Sequence, residues 1–136
     1  MNITENNKQL DNLKDSSRSI LKIVKGSLIA IIISAILLTV YAAILAYTNI
    51  SENTIIPVLF TITGISILIG SFMSSKTIKK QGILNGGLIG GIYVIVLYLI
   101  SSLFTGNFSL DINSILMIVI GVISGMIGGI VGVNLK

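Results

Sequence analysis

Four apolar runs of about 20 residues take up most of this 136-residue chain, and nothing in it constrains the fold more. They fall at roughly residues 26–48, 54–75, 83–104 and 112–133, and none contains an Asp, Glu, Lys or Arg. About 20 apolar residues in an α-helix cross the hydrocarbon core of a bilayer, roughly 30 Å thick. Inside lipid every backbone N–H and C=O needs an internal partner, so such runs fold as helices. The expected fold is all-α: an integral membrane four-helix bundle formed by residues 26–136, led by a polar and then amphipathic segment of residues 1–25.

The nine basic residues give this bundle an expected orientation. Lys8, Lys14, Arg18, Lys22 and Lys25 precede the first run. Lys76, Lys79 and Lys80 lie between the second and third, and Lys136 follows the fourth. The connections after the first and third runs carry only Glu52 and Asp111 as charged residues. Basic residues collect on the cytoplasmic side, which predicts an N-in/C-in, multi-pass membrane protein. The same rule accounts for the net charge of +4 without invoking nucleic acid. The expected polar partner is instead a bilayer with anionic headgroups. The first run is too long for a signal-peptide core and is expected to stay as an anchor.

Composition removes several kinds of chemistry. Cysteine and histidine are both absent. Disulfides are therefore ruled out, zinc, iron–sulfur and haem sites lose their usual ligands, and thiolate or imidazole catalysis is unavailable. An ionisable residue within a span is the usual mark of an ion path or an intramembrane active site, and these spans have none. The expectation is a protein that is not an enzyme, with no catalytic residue, no metal and no cofactor.

Residues 1–25 allow two readings. Leu10, Leu13, Ile20, Leu21 and Val24 recur at near-helical spacing, and Lys14, Arg18, Lys22 and Lys25 form a second stripe. That pattern suits an amphipathic interfacial helix on anionic lipid or on a partner. It also suits a cytoplasmic lead-in whose charges only set topology. The connections between runs are short, which predicts that successive helices are antiparallel neighbours. A shift of 58 residues places Ile69-Gly70 on Ile127-Gly128, and a shift of 60 places Gly26 on Gly86, as two half-copies would.

The strongest internal pattern is glycine at GxxxG spacing. The third run has Gly82, Gly86 and Gly90, with Gly87 and Gly91 alongside; the fourth has Gly121, Gly125 and Gly129, with Gly128 and Gly132 alongside. Lipid tails are as apolar as leucine, so helices associate through close packing, which small residues permit. Weaker stripes are Ser66, Gly70 and Ser74 in the second run and Ala35, Thr39 and Ala43 in the first. These stripes can serve packing within the chain, an interface between copies, or a backbone-lined path. Lys22, Lys25, Lys76, Lys79, Lys80 and Asn85 are the candidates for contact with a headgroup or a partner. Asn85 fits a packing role as well.

Three segments carry a resemblance. They are Lys80-Gln81-Gly82-Ile83-Leu84-Asn85-Gly86 running on to Gly90 and Tyr93, the ending Gly125-Met126-Ile127-Gly128-Gly129-Ile130-Val131-Gly132-Val133-Asn134, and Ile69-Gly70-Ser71-Phe72. Together they resemble the YrzE-type family of small bacterial four-helix membrane proteins. The resemblance implies a four-span inner-membrane protein with no assigned activity and no catalytic residues to carry over. The expected function is that of an accessory or scaffold subunit acting through glycine-mediated helix packing, by self-association or with another membrane protein. The alternative is a homo-oligomeric channel or facilitator for a small solute, with a holin-like pore behind it.

Overall fold

Each apolar run is a helix. The computed structural model describes residues 2–78 and 80–135. The helices are α1 (Ile3–Tyr47), α2 (Ile55–Ile78), α3 (Gly82–Thr105) and α4 (Ile112–Asn134). All four are long and apolar enough to cross a membrane. Pro57 sits in the first turn of α2, where a missing N–H costs no hydrogen bond. Gly106 ends α3 at φ 65 and its N–H donates to Ser102 O at 2.9 Å, a left-handed cap that glycine adopts without a Cβ clash. The outward faces carry exposed Ile32, Ile36, Leu84, Leu88, Ile95 and Ile123. A soluble monomer does not leave apolar surface on this scale in water, whereas lipid tails cover it at no cost. The chain is a multi-pass membrane protein.

The first helix departs from the two-part segment expected at residues 1–25 and 26–48. α1 runs through the 25/26 boundary without a break, over 45 residues, or about 67 Å at 1.5 Å per residue. No proline interrupts it, and Gly26, the one glycine at the boundary, is buried against α2 and stays helical. Residues 2–18 are exposed throughout; burial starts at Ile23 and ends at Ser34. The segment is thus a helical extension of the first span. The stripe expected to pack on α1, Ala35, Thr39 and Ala43, is exposed, and Gly26, Ser27, Ala30 and Ser34 are buried in its place.

The helices pack in the ring order α1–α2–α4–α3. The main pairs are α3 with α4, α2 with α4, and α1 with α2; α1 with α3 and α2 with α3 are lesser contacts, and α1 does not meet α4 among the described residues. Short links predicted neighbours in chain order, and each successive pair does touch, α2 and α3 across the short diagonal of the ring. Their link includes Gln81 in the left-handed region at φ 51, a strained conformation for a residue with a Cβ. The half-copies also differ in packing. Gly70 meets Gly26 and Ala30 of α1, whereas Gly128, its counterpart at a shift of 58, turns away from α3 towards α2.

All described basic residues gather at one end of this bundle, because the first part of α1 packs on the last part of α2 and the start of α3 on the end of α4. The core sits near mid-bundle: Ala30, Ile67, Tyr93 and Val94, with Ile31 and Leu97 against them. In the half away from the basic end the helices separate around an apolar groove of about 410 Å³, lined by Leu38, Leu59, Leu97 and Met117 among others.

Because residues 2–18 make no buried contact, they contribute little to the bundle's stability. Deleting them is expected to leave the thermal midpoint in mild detergent within about 2 °C of the full chain. A drop several times larger would mean that the extension packs on the bundle.

Candidate functional site

The closest approach in the molecule is between the backbones of α3 and α4. A Cβ placed on Gly82, Gly86 or Gly90 would overlap the carbonyl oxygen of Gly129, Gly125 or Gly121 respectively. The reverse holds too: a Cβ on Gly125 would meet Gly86 O, and one on Gly129 would meet Gly82 O. One antiparallel register satisfies every pair. The hydrogen that stands where a Cβ would be aims at the facing carbonyl, a Cα–H···O contact worth roughly 0.5–1 kcal/mol. Repeated along the crossing, these contacts outweigh a single interhelical side-chain hydrogen bond, which averages about 0.6 kcal/mol in membrane proteins.

The fourth helix has a second small face. Gly128 lies against α2, where a Cβ would stand 2.5 Å from Leu68 O, and Gly132 likewise, 2.6 Å from Phe72 O. Neighbouring residues on an α-helix are about 100° apart, close to the angle between two neighbours in a four-helix bundle. Doublets such as Gly128-Gly129 therefore let α4 take α3 on one side and α2 on the other. The second helix does the same with Gly70-Ser71 and Ser74-Ser75. Gly70 packs on Ala30, where a Cβ would stand 2.7 Å from Ala30 Cβ, while Ser71 faces α4.

Ser71 joins three helices. Its Oγ donates to Gly125 O at 2.6 Å, beside the Gly86–Gly125 crossing. It was not among the residues singled out from the sequence; its place in a small-residue doublet four residues before Ser75 is the signal that marks it. Ser74 Oγ donates to Lys22 O at 2.7 Å and closes the α1–α2 seam. Ser66 is fully buried in α2 with no partner for its hydroxyl among the described residues. Gly26 and Ala30, also not singled out for packing, form the α1 side of that seam.

The polar candidates separate. Lys22 Nζ donates to Thr77 O at 3.1 Å, at the C-terminal end of α2 where the helix dipole favours a cation. Lys76 Nζ stands 5.9 Å from the centre of the Phe72 ring, within cation–π range. Lys25 and Lys80 are exposed. Lys79 lies outside the described residues. Asn85 is buried, and its Nδ2 donates to Lys80 O at 2.9 Å, which fastens the α2–α3 turn to α3. Among the described residues no three His, Cys, Asp or Glu side chains come together as a metal site would require.

A four-span membrane bundle closed by glycine backbones is the class this geometry defines. The chain belongs to a family described as "Protein of unknown function (DUF3792)", whose model matches residues 19–132. The match covers the bundle and leaves the first 18 residues outside; the narrower YrzE-type label is not part of it. No curated protein and no solved structure matches the chain.

A methyl group at the α3–α4 crossing meets backbone, which cannot rotate away. Gly86→Ala and Gly125→Ala are each expected to cost roughly 3 kcal/mol or more in unfolding from detergent micelles. Gly91, which has nothing within 4 Å of a Cβ, is the control. Gly91→Ala is expected to be neutral or to stabilise by up to about 1 kcal/mol through helix propensity. Equal losses at all three positions would remove the specific crossing as their cause.

Proposed function

We propose that this protein is an accessory or scaffold subunit of the bacterial cytoplasmic membrane, without catalytic chemistry, which docks another membrane protein through α1. The observation that carries this reading is the uneven use of small-residue faces. The Gly82, Gly86 and Gly90 row of α3 and the glycines of α4 are occupied by each other and by α2. The first helix is the least covered: 11% of its most apolar window is buried, against 28% in each of the other three spans. In the outer half of α1, Ala35, Thr39, Ala42 and Ala46 fall on one exposed stripe. Small residues at that spacing are what a second transmembrane helix needs for close approach. Both termini are assigned to the cytoplasm because the basic residues share one end of the bundle. The resemblance to the YrzE-type proteins supports the bacterial inner-membrane setting.

A channel between copies of the chain is the weaker reading. The glycine carbonyls that would line a path are covered by the facing helix. The absence of any charged side chain within the spans also favours packing over transport.

Cross-linking in native membranes, purification and mass spectrometry test the proposal. The expected result is a stoichiometric foreign membrane protein, whose capture falls at least about fivefold in an Ala35→Leu/Ala42→Leu variant that keeps the parent's thermal midpoint. A pure homo-oligomer or a lone monomer would overturn the accessory reading.

A further inference from the structure

The extension of α1 does more than lengthen the first span. It stands beside the turn that joins α2 to α3, and the two enclose an open polar cleft of about 730 Å³. Among the described residues three cations line it: Arg18 and Lys22 from α1, and Lys80 from the turn. One acid, Asp15, lines it with them, which leaves an excess of two positive charges. Lys22 gives one of its three N–H donors to Thr77 O. Arg18 and Lys80 donate no side-chain hydrogen bond among the described residues, so their donors face the cleft or solvent. The opening turn of α3 borders the same space through Gln81 and Asn85. Its N-cap residue, Gln81, makes no side-chain capping bond, so first-turn amides of α3 remain without an intrahelical partner.

We propose that this cleft binds a phosphate anion, with the Arg18 guanidinium and the Lys22 and Lys80 ammonium groups as its counter-charges. An arginine fork with two lysine point charges is a donor set suited to a phosphate's several acceptor oxygens. The cleft lies where the bundle ends, at the last turn of α2 and the first of α3. That is the level of headgroup phosphates, and basic pockets beside transmembrane helices at this level take anionic headgroups. The phosphodiester of an anionic phospholipid is the source that position favours; soluble phosphate shares the chemistry. Lys25, exposed on α1 one turn below Lys22, does not line the cleft and serves as the matched control.

The test uses the full chain in two arms. In the first, the protein is extracted from membranes containing phosphatidylglycerol and cardiolipin, and retained lipid is counted by native mass spectrometry. In the second, inorganic phosphate is titrated by calorimetry into protein held in discs of zwitterionic lipid. Arg18→Gln and Lys80→Gln change exposed side chains and leave the bundle contacts in place. Each is expected to lower anionic-lipid retention about fivefold, with Lys25→Gln changing it less than about twofold. The same variant order with inorganic phosphate upholds the site and assigns it to soluble phosphate. An equal loss in Lys25→Gln would reduce the effect to diffuse surface charge and overturn the site. No anion in either arm that separates the parent from an Arg18→Gln/Lys80→Gln double variant would overturn it as well. Neither result depends on what docks on the outer half of α1.

Discussion

The backbone contact between Gly82, Gly86 and Gly90 of α3 and Gly129, Gly125 and Gly121 of α4 is the constraint from which the rest of the bundle follows. In water two helices associate by hiding apolar surface, but lipid removes that drive and leaves packing, hydrogen bonding and lipid entropy. Only where side chains are absent can two backbones come close enough for carbonyls to face Cα hydrogens. With α3 fixed on one side of α4, the adjacent row of Gly128 and Gly132 points about 100° away and receives α2. The α2–α4 contact brings Ser71 onto Gly125 O, and the far side of α2 offers Gly70 and Ser74 to α1. The ring α1–α2–α4–α3 is the outcome of that chain of small faces, and the α2–α3 link has to bridge the diagonal.

Tightness is unevenly distributed along the bundle. Every buried residue of α4 lies at or beyond Gly121, and those of α1 stop at Ser34, so close packing belongs to the basic half. Two of the hydroxyls buried there are spent locally: Ser27 Oγ donates to Ile23 O, and Ser34 Oγ to Ile31 O. Such bonds satisfy a serine within its own helix and carry no interhelical specificity. Ser71 and Ser74 instead each cross to another helix. Tyr93, the largest fully buried side chain, fills the space where the glycine crossing gives way to the looser half, and its hydroxyl has no partner among the described residues.

The four helices were legible in the sequence because hydropathy over about 20 residues is a long-range average that no single residue upsets. The α3–α4 partnership was legible for a geometric reason: both glycine rows lie at the same end, one near the start of its helix and one near the finish of the other. Three other features were not. The ring order was not readable because loop length says only that successive helices touch, whereas the doublets Gly70-Ser71, Ser74-Ser75 and Gly128-Gly129 decide which faces meet. The α1 face that meets α2 was not readable because Ala35, Thr39 and Ala43 match the spacing rule as well as Gly26, Ala30 and Ser34 do, and spacing does not say at which depth α2 is close. The continuity of α1 failed because a change in composition at residue 25 resembles a boundary, yet helix propensity runs through it unbroken.

Lys22 links the two ends of the functional picture. Its carbonyl accepts from Ser74 and its ammonium donates to Thr77 O, so one residue of α1 holds the end of α2 by both backbone and side chain. The same side chain lines the polar cleft. An ammonium has three donors, and the bond to Thr77 uses one. An anion bound there as proposed would therefore add to the α1–α2 seam without competing for the Thr77 bond. The helix that carries the exposed outer stripe is thus the helix whose other end closes the cleft.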